Sequence, residues 1–376
     1  MTKLKCAIVS VTNDLYTDNR VDKICIFLEK QGYSVLLVGR KRTQSIPLAE
    51  RSYRTKRMKL IYEKGALFYA EYNFRLFMFL LFHRATLLVS NDLDTLLANY
   101  AASKFKPNAT LVYDSHEYFT EVPELTSRPK IKKIWEGIEA WIFPKLQTIY
   151  TVNESIAQLY RDKYKKDVAV VRNISPTWEP KFLMTKEELG IPENKFVIII
   201  QGAGINIDRG AEEAVEAMKH IENAVLIIVG DGDVIPQLKL AITHYDLNEK
   251  VLFFGKRPYS EMMNFTCLAD VGLTLDKPTN LNYKFSLPNK VFDYIYAGTP
   301  IICTDLVEVS AIVNKHKLGL IIADLSAENL AKKIKELQHN SSLLAEMKAN
   351  CKTASLIENW EHESQILEQI YPKIGK

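Results

Sequence analysis

Two separate series of short, β-branched apolar runs, each alternating with helical stretches, constrain the fold of this chain more than any other feature. The first series has an apolar run at residues 6–11, a helical spacing of apolar side chains at 19–31 and a second run at 34–39. Another series starts at residues 196–201 and passes through a helix to a run at 224–229. Strands buried on both faces of a parallel sheet are apolar throughout. We therefore predict two Rossmann-like α/β domains, each with a doubly wound parallel sheet.

The length of 376 residues agrees with two domains of ordinary size. The two series meet at residues 175–186, a stretch without clear periodicity that carries Pro176, Trp178 and Pro180. We predict a linker there, and we divide the chain into a first domain, residues 1–178, and a second domain, residues 179–356. Ligands bind at the carboxyl ends of the strands in open parallel sheets. Two such domains facing each other would form a cleft suited to joining two substrates.

Composition and charge narrow the class of protein. The chain has 49 basic and 45 acidic residues, a balance that argues against a nucleic-acid-binding protein. Its five cysteines have neither disulfide-framework nor metal-ligand spacing, so we expect reduced cysteines and a cytoplasmic protein. No signal peptide is evident. The most apolar stretch, residues 66–89, contains Glu71, Arg75, His83 and Arg84, so we interpret it as a mostly buried helix followed by a strand rather than a membrane span.

The segment at residues 286–300 carries the clearest sign of a ligand site. Pro288 is placed to begin a helix over residues 289–297, and Gly298 is placed to end it. The free N–H groups at the start of this helix, with Lys290 beside them, would suit a diphosphate. Asp293, one turn further on, is predicted to accept hydrogen bonds from a ribose diol. A plain surface helix with a proline start and a glycine end is the alternative.

The same segment, Pro-Asn-Lys-Val-Phe-Asp-Tyr-Ile-Tyr-Ala-Gly-Thr-Pro at residues 288–300, resembles the donor-binding motif of glycosyltransferase family 4, which contains retaining enzymes of the GT-B fold. Other landmarks of that family occur in the expected order and extend the resemblance over nearly the whole chain. They are Gly-Ala-Gly-Ile-Asn-Ile-Asp-Arg-Gly at 202–210, Val-Gly-Asp-Gly-Asp at 229–233, Phe-Gly-Lys at 254–256 and Asp-Ser-His-Glu at 114–117. Residues 357–376 resemble the C-terminal helix that packs back on the first domain.

The resemblance implies transfer of a sugar from a nucleotide diphosphate sugar to an acceptor hydroxyl, with retention at the anomeric carbon, in bacterial surface polysaccharide or glycolipid synthesis. Arg209 would neutralise the leaving diphosphate, with Lys290 or Lys256 as a second cation. No cofactor and no metal are expected, because the nearest approach to an Asp-x-Asp arrangement, Asp92 and Asp94, lies in the wrong half and is interpreted as a turn and an N-cap. The complete predicted donor site is Gly204, Arg209, Asp231, Lys256, Ser286, Asn289, Lys290 and Asp293.

On the acceptor side, the resemblance makes His116 a catalytic residue that hydrogen-bonds a sugar hydroxyl or supports charge in an oxocarbenium-like transition state. A purely structural histidine is the alternative. Asn13, Asp18, Arg20 and Asp92 are predicted to contact the acceptor or the diphosphate. The loop after the first strand lacks the glycines that are common in the family, which favours side-chain contacts over backbone contacts there.

Two features leave alternatives open. Phe285 stands where the family often has the first of two glutamates, so Ser286, Asn289 or backbone amides would have to contact the donor sugar. A non-enzymatic nucleotide-sugar-binding protein and a nucleotide-sugar epimerase are the rival functions. A basic cluster, Arg54, Lys56, Arg57, Lys59 and Lys64, is consistent either with peripheral contact at the inner face of the membrane and a lipid-linked acceptor or with a solvated surface; a soluble saccharide is the other acceptor class.

Overall fold

The computed structural model describes residues 5–16, 18–126, 128–176, 178 and 183–372. The chain divides into two compact units, a first unit of Met1–Asn173 with Ser364–Lys376 and a second unit of Ile174–Glu363. The first division falls five residues before the predicted one, because Ile174 is fully buried in the core of the second unit. Residues 177 and 179–182 of the predicted linker lie outside the described residues.

The first unit is built on a seven-stranded parallel sheet in the order β3-β2-β1-β4-β5-β6-β7. Its strands are β1 Cys6–Ser10, β2 Ser34–Lys41, β3 Arg54–Lys59, β4 Leu87–Asn91, β5 Thr110–Ser115, β6 Thr148–Thr151 and β7 Ala169–Val170. Its helices are α1 Asn19–Lys30, α2 Gly65–Phe82, α3 Leu93–Lys104, α4 Pro123–Thr126, α5 Pro129–Ile142 and α6 Glu154–Tyr164. The strand order reverses between β1 and β4, and this reversal marks the place where open parallel sheets bind ligands.

Strand β3 is not predicted from the sequence, because its residues are mainly the basic cluster. It pairs with β2 at the edge of the sheet, and Met58 is its only buried residue. Arg57 forms an ion pair with Asp14 at 3.1 Å. Charged side chains suit an edge strand, since they discourage pairing with another chain. The basic cluster is thus largely an exposed edge strand, which agrees with the interpretation of a solvated surface, although the strand itself was not predicted. Contact with a membrane stays a prediction.

Helix α2 also differs from its prediction. Only five of its 18 residues are buried, namely Phe68, Tyr72, Asn73, Leu76 and Leu80, so the expectation of a mostly buried helix is wrong. Apolar composition alone does not show how much of a helix the rest of the unit covers. In the part of the chain that the structure describes, no helix is long and apolar enough to cross a membrane.

The second unit repeats the architecture with a six-stranded parallel sheet in the order β10-β9-β8-β11-β12-β13. Its strands are β8 Phe196–Gly202, β9 Ala224–Gly230, β10 Val251–Phe253, β11 Val271–Thr274, β12 Ile301–Thr304 and β13 Gly319–Ile322. Its helices are α7 Ala211–Ala217, α8 Ile235–His244, α9 Tyr259–Leu268, α10 Leu281–Lys284, α11 Asn289–Ala297, α12 Val307–His316, α13 Ala327–Gln338 and α14 Ser341–Ser355. The predicted fold class, two Rossmann-like parallel-sheet α/β domains, is confirmed.

The last helix, α15 Trp360–Ile370, begins in the second unit and ends in the first. Residues from Ser364 belong to the first unit, whereas the prediction placed the return at residue 357. The segment that returns to the first unit starts later than predicted because the buried carboxylate of Glu358 is held in the second unit by Lys315 and His316. Within the first unit, the hydroxyl groups of Tyr371 and Tyr150 lie 2.8 Å apart.

Candidate functional site

Strands β4 and β5 of the first unit end beside each other in a cluster of ionisable side chains. Asp92 follows β4 directly, and His116 follows β5. Asp92 has a φ of 58°, a left-handed conformation that non-glycine residues adopt only when their surroundings hold them. Its carboxylate accepts a hydrogen bond from the backbone N–H of His116 at 2.8 Å, which ties the two strand ends together.

The imidazole of His116 is engaged on both nitrogens. Nε2 lies 3.1 Å from Oδ1 of Asn91 and 3.4 Å from Oδ2 of Asp114, and Nδ1 lies 3.5 Å from Oδ2 of Asp92. Burial lowers the pKa of His116, but the two carboxylates outweigh burial and raise it to about 10. The ring is therefore a cation at neutral pH, which favours charge stabilisation over proton abstraction.

Arg20 lies behind this histidine and is buried. Its Nη2 donates to Oδ1 of Asp114 at 2.7 Å, and its Nη1 donates to the carbonyl of Val171 at 2.9 Å. Burial raises the pKa of Asp114, but the cations of Arg20 and His116 hold it at about 2. The predicted contact of Arg20 with the acceptor differs from this arrangement, since the guanidinium is turned inward and positions Asp114.

The remaining predicted acceptor residues lie around the same cluster. Asp18 is the N-cap of α1 and accepts a hydrogen bond from the N–H of Val21 at 3.1 Å. Asn13 is exposed, and its carbonyl accepts a hydrogen bond from the N–H of Arg40 at 3.1 Å. Both residues line one pocket together with Asp92 and His116. Contact with an acceptor stays a prediction for each of them.

Asp94 is not the N-cap that the sequence suggested. Helix α3 begins at Leu93, so Asp92 occupies the cap position and Asp94 lies in the first turn, where it accepts a hydrogen bond from the Thr12 hydroxyl. Burial, followed by the neighbouring Asp92, raises the pKa of Asp94 to about 7. This carboxyl group therefore changes its charge close to neutral pH.

The pocket itself has a volume of about 980 Å³ and is lined entirely by residues of the first unit. Its polar lining residues include Asn13, Asp18, Asp92 and His116, and the last two contact each other. Apolar side chains of α2, α3 and α5 form most of the remaining lining, which also includes Asn73, Glu124 and Arg128. Its size and mixed lining are typical of a ligand site.

In the second unit, helix α11 spans Asn289–Ala297 as predicted, and Gly298 ends it in a left-handed conformation with a φ of 70°. Pro288 is the N-cap residue rather than a first-turn residue, and no side chain caps the helix. Asn289 is exposed and Lys290 is half-buried. Burial lowers the pKa of Lys290, which the nearby carboxylate of Asp276 partly offsets. An anion at this end would satisfy N–H groups that the helix itself leaves free.

Arg209 is paired with a carboxylate that the sequence analysis missed. Its Nη1 lies 3.0 Å from Oδ2 of the fully buried Asp276, and Ser286 donates to the same oxygen at 3.3 Å. The guanidinium also lies over the ring of Tyr283, 4.7 Å from its centre. Among the described residues, Oδ1 of Asp276 and Nε of Arg209 are both buried without a hydrogen-bond partner. An acidic residue directly after the strand-like run Val-Gly-Leu-Thr-Leu at residues 271–275 was the available sequence signal.

Asp293 is less accessible than predicted. Its carboxylate is buried and accepts hydrogen bonds from Ser175 at 3.0 Å, Tyr259 at 2.9 Å and Gln201 at 3.2 Å. A ribose diol would have to share this carboxylate with the three donors, which already contact both of its oxygens. Ser175 and Tyr259 are the missed partners, and nothing in the sequence pattern indicated them.

The other predicted donor residues lie on loops that follow strands β8, β9 and β10. Gly204 has open space around it, since a Cβ atom added there would lie 3.9 Å from its nearest neighbour, Nδ2 of Asn206. Asp231 is exposed and accepts a hydrogen bond from the N–H of Gly232 at 2.9 Å. Lys256 is exposed after a turn at Gly255. Within the described ranges, no group of three or more His, Cys, Asp or Glu side chains is arranged to hold a metal ion.

Comparison with known proteins finds one family model that matches within the second unit. Residues 184–354 match the model of glycosyl transferases group 1. The lipopolysaccharide core biosynthesis glycosyltransferase LpsD of Rhizobium meliloti (strain 1021) is 26% identical over 114 residues, which cover 30% of this chain and 33% of LpsD. The match therefore spans about a third of that relative's length.

Solved structures match over almost the whole chain. Sucrose-phosphate synthase from Thermosynechococcus elongatus has a TM-score of 0.77 at 16% identity, covering 98% of both chains. Anabaena HepE in complex with UDP has a TM-score of 0.70 at 15% identity, covering 97% of this chain and 99% of HepE. These likenesses show a GT-B fold, as predicted. The assignment to family 4 and to its Pro-Asn-Lys variant stays a prediction.

Proposed function

Because residues 184–354 match glycosyl transferases group 1, we propose that this protein is a glycosyltransferase acting on a nucleotide diphosphate sugar. The second unit binds the donor, the first unit binds the acceptor, and the sugar passes to an acceptor hydroxyl with retention at the anomeric carbon. The observation that carries this proposal is the arrangement of Arg209, Lys290 and the uncapped start of α11, which offers positive charge and free N–H groups to a diphosphate.

Catalysis in this proposal rests mainly on electrostatic stabilisation of the departing diphosphate. Arg209 grips phosphate oxygens, Lys290 adds a second cation, and the start of α11 donates backbone N–H groups. These groups supply the charge without a metal ion. Because Asp92 and Asp114 raise the pKa of His116 and favour its protonated form, we assign the proton of the acceptor hydroxyl to an oxygen of the departing diphosphate. The protein supplies the remaining rate enhancement by positioning the two substrates.

In the proposed reaction, Asp276 contacts the donor sugar. Its Oδ1 and the Nε of Arg209 are buried without a hydrogen-bond partner among the described residues, so a ligand reaches them only when the surrounding side chains shift. After such a shift, Oδ1 would accept a hydrogen bond from a hydroxyl group of the donor sugar, and Nε would donate to a neighbouring oxygen of the same ligand. Asp276 thereby supplies an acidic contact that Phe285 cannot provide. Ser286 holds the other oxygen of Asp276 and orients the carboxylate.

The relatives guide the choice of donor and pathway. HepE has been crystallised with UDP and with UDP-glucose, so uridine nucleotides are the first donors to test. LpsD is named for lipopolysaccharide core synthesis, which supports a role in bacterial surface polysaccharide or glycolipid synthesis at the cytoplasmic side of the membrane.

The proposal is tested by a thermal-shift screen of UDP, GDP, ADP, CMP and dTDP in the presence of EDTA. A ligand at about 100 times its Kd stabilises a protein by roughly 2.7 kcal/mol, which is a measurable shift. We expect one nucleotide to stand out, Arg209→Ala to abolish its effect, and Lys219→Ala, at an exposed site of the same unit, to retain it. Release of that nucleotide from the matching sugar donor then measures turnover. A screen in which no nucleotide stabilises the protein would contradict the proposal.

A further inference from the structure

We propose that the apolar part of the pocket in the first unit binds the hydrocarbon chain of a lipid-linked acceptor, whose sugar hydroxyl groups lie at the polar end with Asp92 and His116. This inference rests on the proposed function, since it names the class of acceptor. It also makes a prediction about binding that can be tested without any transfer reaction.

Three helices shape the apolar part of the pocket. Helix α3 packs against both α2 and α5, and Leu97, Ala98 and Ala101 of α3 form its floor. The walls come from one face of α2, with Ala66, Ala70, Phe74 and Phe77, and one face of α5, with Ile131, Ile134, Trp135 and Ile138. Both sets follow the helical spacing of a single stripe. We call this space the α2/α5 groove.

The groove exposes apolar surface that the protein alone does not cover. Phe74 is 65% exposed and Ile134 is 61% exposed, although both line the same pocket. The alanines at positions 66, 70 and 101 leave room between the walls. Exposed apolar surface in a concave site costs free energy that a bound hydrocarbon chain would recover.

The polar end shows that the occupant is amphipathic rather than a plain hydrocarbon. Asp92, Asp94 and Glu117 line that end together with His116, and such groups bind hydroxyl groups. Arg40 lines the same pocket, and its Nε is buried without a hydrogen-bond partner among the described residues. The guanidinium adds a charged donor group to the polar lining of the pocket. A hydroxyl-bearing head on a hydrocarbon chain therefore matches both halves of one continuous pocket.

The chain offers a direct reporter and a matched control. Trp135 lines the groove, so a bromine atom near the end of a bound alkyl chain would quench its fluorescence. Phe74 and Phe82 are both exposed phenylalanines of α2, but only Phe74 lines the pocket, and Phe82 is 78% exposed. Replacing either with serine removes similar apolar surface without opening the core.

The experiment measures quenching of tryptophan fluorescence by a dodecyl glucoside brominated at the chain end, below its micelle-forming concentration. We expect saturable quenching that Trp135→Phe largely removes, at least fivefold weaker binding in Phe74→Ser and unchanged binding in Phe82→Ser. Competition by unbrominated alkyl glucosides of increasing length should strengthen by about two- to fourfold for each added methylene until the groove is full.

Three results would overturn the inference: no saturable quenching, quenching that persists in Trp135→Phe, or equal weakening in Phe74→Ser and Phe82→Ser. The last would show that the outer face of α2 meets a membrane or micelle surface and that the groove does not select a chain. The nucleotide screen on the wild-type protein separates this inference from the proposed function. Nucleotide binding without alkyl binding contradicts this inference and leaves the transferase proposal standing. Alkyl binding without nucleotide binding contradicts the transferase proposal, and the groove is then a hydrocarbon site but not an acceptor site.

Discussion

The two clusters of ionisable side chains at the strand ends differ in how completely their charged groups are paired. In the first unit, Arg20, Asp114, His116 and Asp92 form a continuous series in which each group contacts the next. In the second unit, Asp276 and Arg209 meet through one pair of atoms, and one buried atom of each has no partner among the residues that the structure describes. We call the first cluster complete and the second incomplete. The difference teaches that two clusters of similar charge can be distinguished by how fully their hydrogen-bonding groups are paired within the protein.

The largest expected effect comes from breaking the complete cluster. Arg20→Met should lower the free energy of unfolding by about 3–5 kcal/mol, because it leaves the carboxylate of Asp114 buried without its main partner. Chemical denaturation followed through the first unit measures this loss.

The control for that change is Arg75→Ala, which removes an exposed i,i+4 pair with Glu71 in α2 and should cost about 0–1 kcal/mol. Adding Asp114→Asn to Arg20→Met should restore part of the stability, since the uncompensated charge disappears. Similar stability for Arg20→Met and Arg75→Ala would show that the cluster is not a structural scaffold.

The incomplete cluster should respond in activity rather than in stability. Asp276→Asn should lower kcat by about 100-fold, because the proposed charged contact to the donor sugar is lost. Affinity for the nucleoside diphosphate should stay the same or increase, since Arg209 no longer has a carboxylate competing with phosphate. Steady-state kinetics and nucleotide titration measure the two quantities.

For comparison, Asp324→Asn alters an exposed carboxylate elsewhere in the second unit and should change neither kcat nor the affinity for the nucleoside diphosphate. Parallel loss of kcat and of nucleotide affinity in Asp276→Asn would mean that Asp276 only supports Arg209. That outcome would remove it from the sugar contact.

The contrast between the clusters also shows which parts of the fold and of the candidate site could be predicted from the sequence. The strands and the helix Asn289–Ala297 follow from apolar periodicity and from Pro288 and Gly298, which are local signals. The formation of strand β3 and the exposure of α2 depend on which elements pack against them. The periodicity of apolar residues carries no information about those neighbours. The partners of Arg209 and Asp293 lie 67 and 118 residues away in sequence, at Asp276 and Ser175. Only the folded sheet brings such residues together.

A smaller effect concerns the carboxyl group of Asp94, beside the complete cluster. Its pKa in the folded protein is raised to about 7, so folding favours the protonated form. This contribution to stability is fully present below the ordinary pKa of an aspartate and is lost as the pH rises through about 7. Asp94→Asn should therefore be more stable than the wild type by about 1–3 kcal/mol at pH 8.

The advantage of Asp94→Asn should shrink towards zero near pH 4, where both side chains are neutral. The asparagine oxygen can still accept the hydrogen bond from Thr12, so the packing is retained. Thermal unfolding at the two pH values measures the difference. An equal advantage at both values would show that packing, and not ionisation, is responsible.

The smallest expected effect tests whether Ser286 orients the carboxylate of Asp276 in the incomplete cluster. Ser286→Ala removes one hydrogen bond of 3.3 Å to Oδ2 of Asp276 and leaves its salt bridge with Arg209 in place. Loss of one such bond is worth about 0.5–1.5 kcal/mol, so kcat/KM should fall by about two- to tenfold. In Asp276→Asn the same serine substitution should have almost no further effect, because the carboxylate that it orients is already gone. Additive losses in the double variant would instead mean that Ser286 contacts the donor directly, as the sequence first suggested, and the second cluster would then contain two separate ligand contacts.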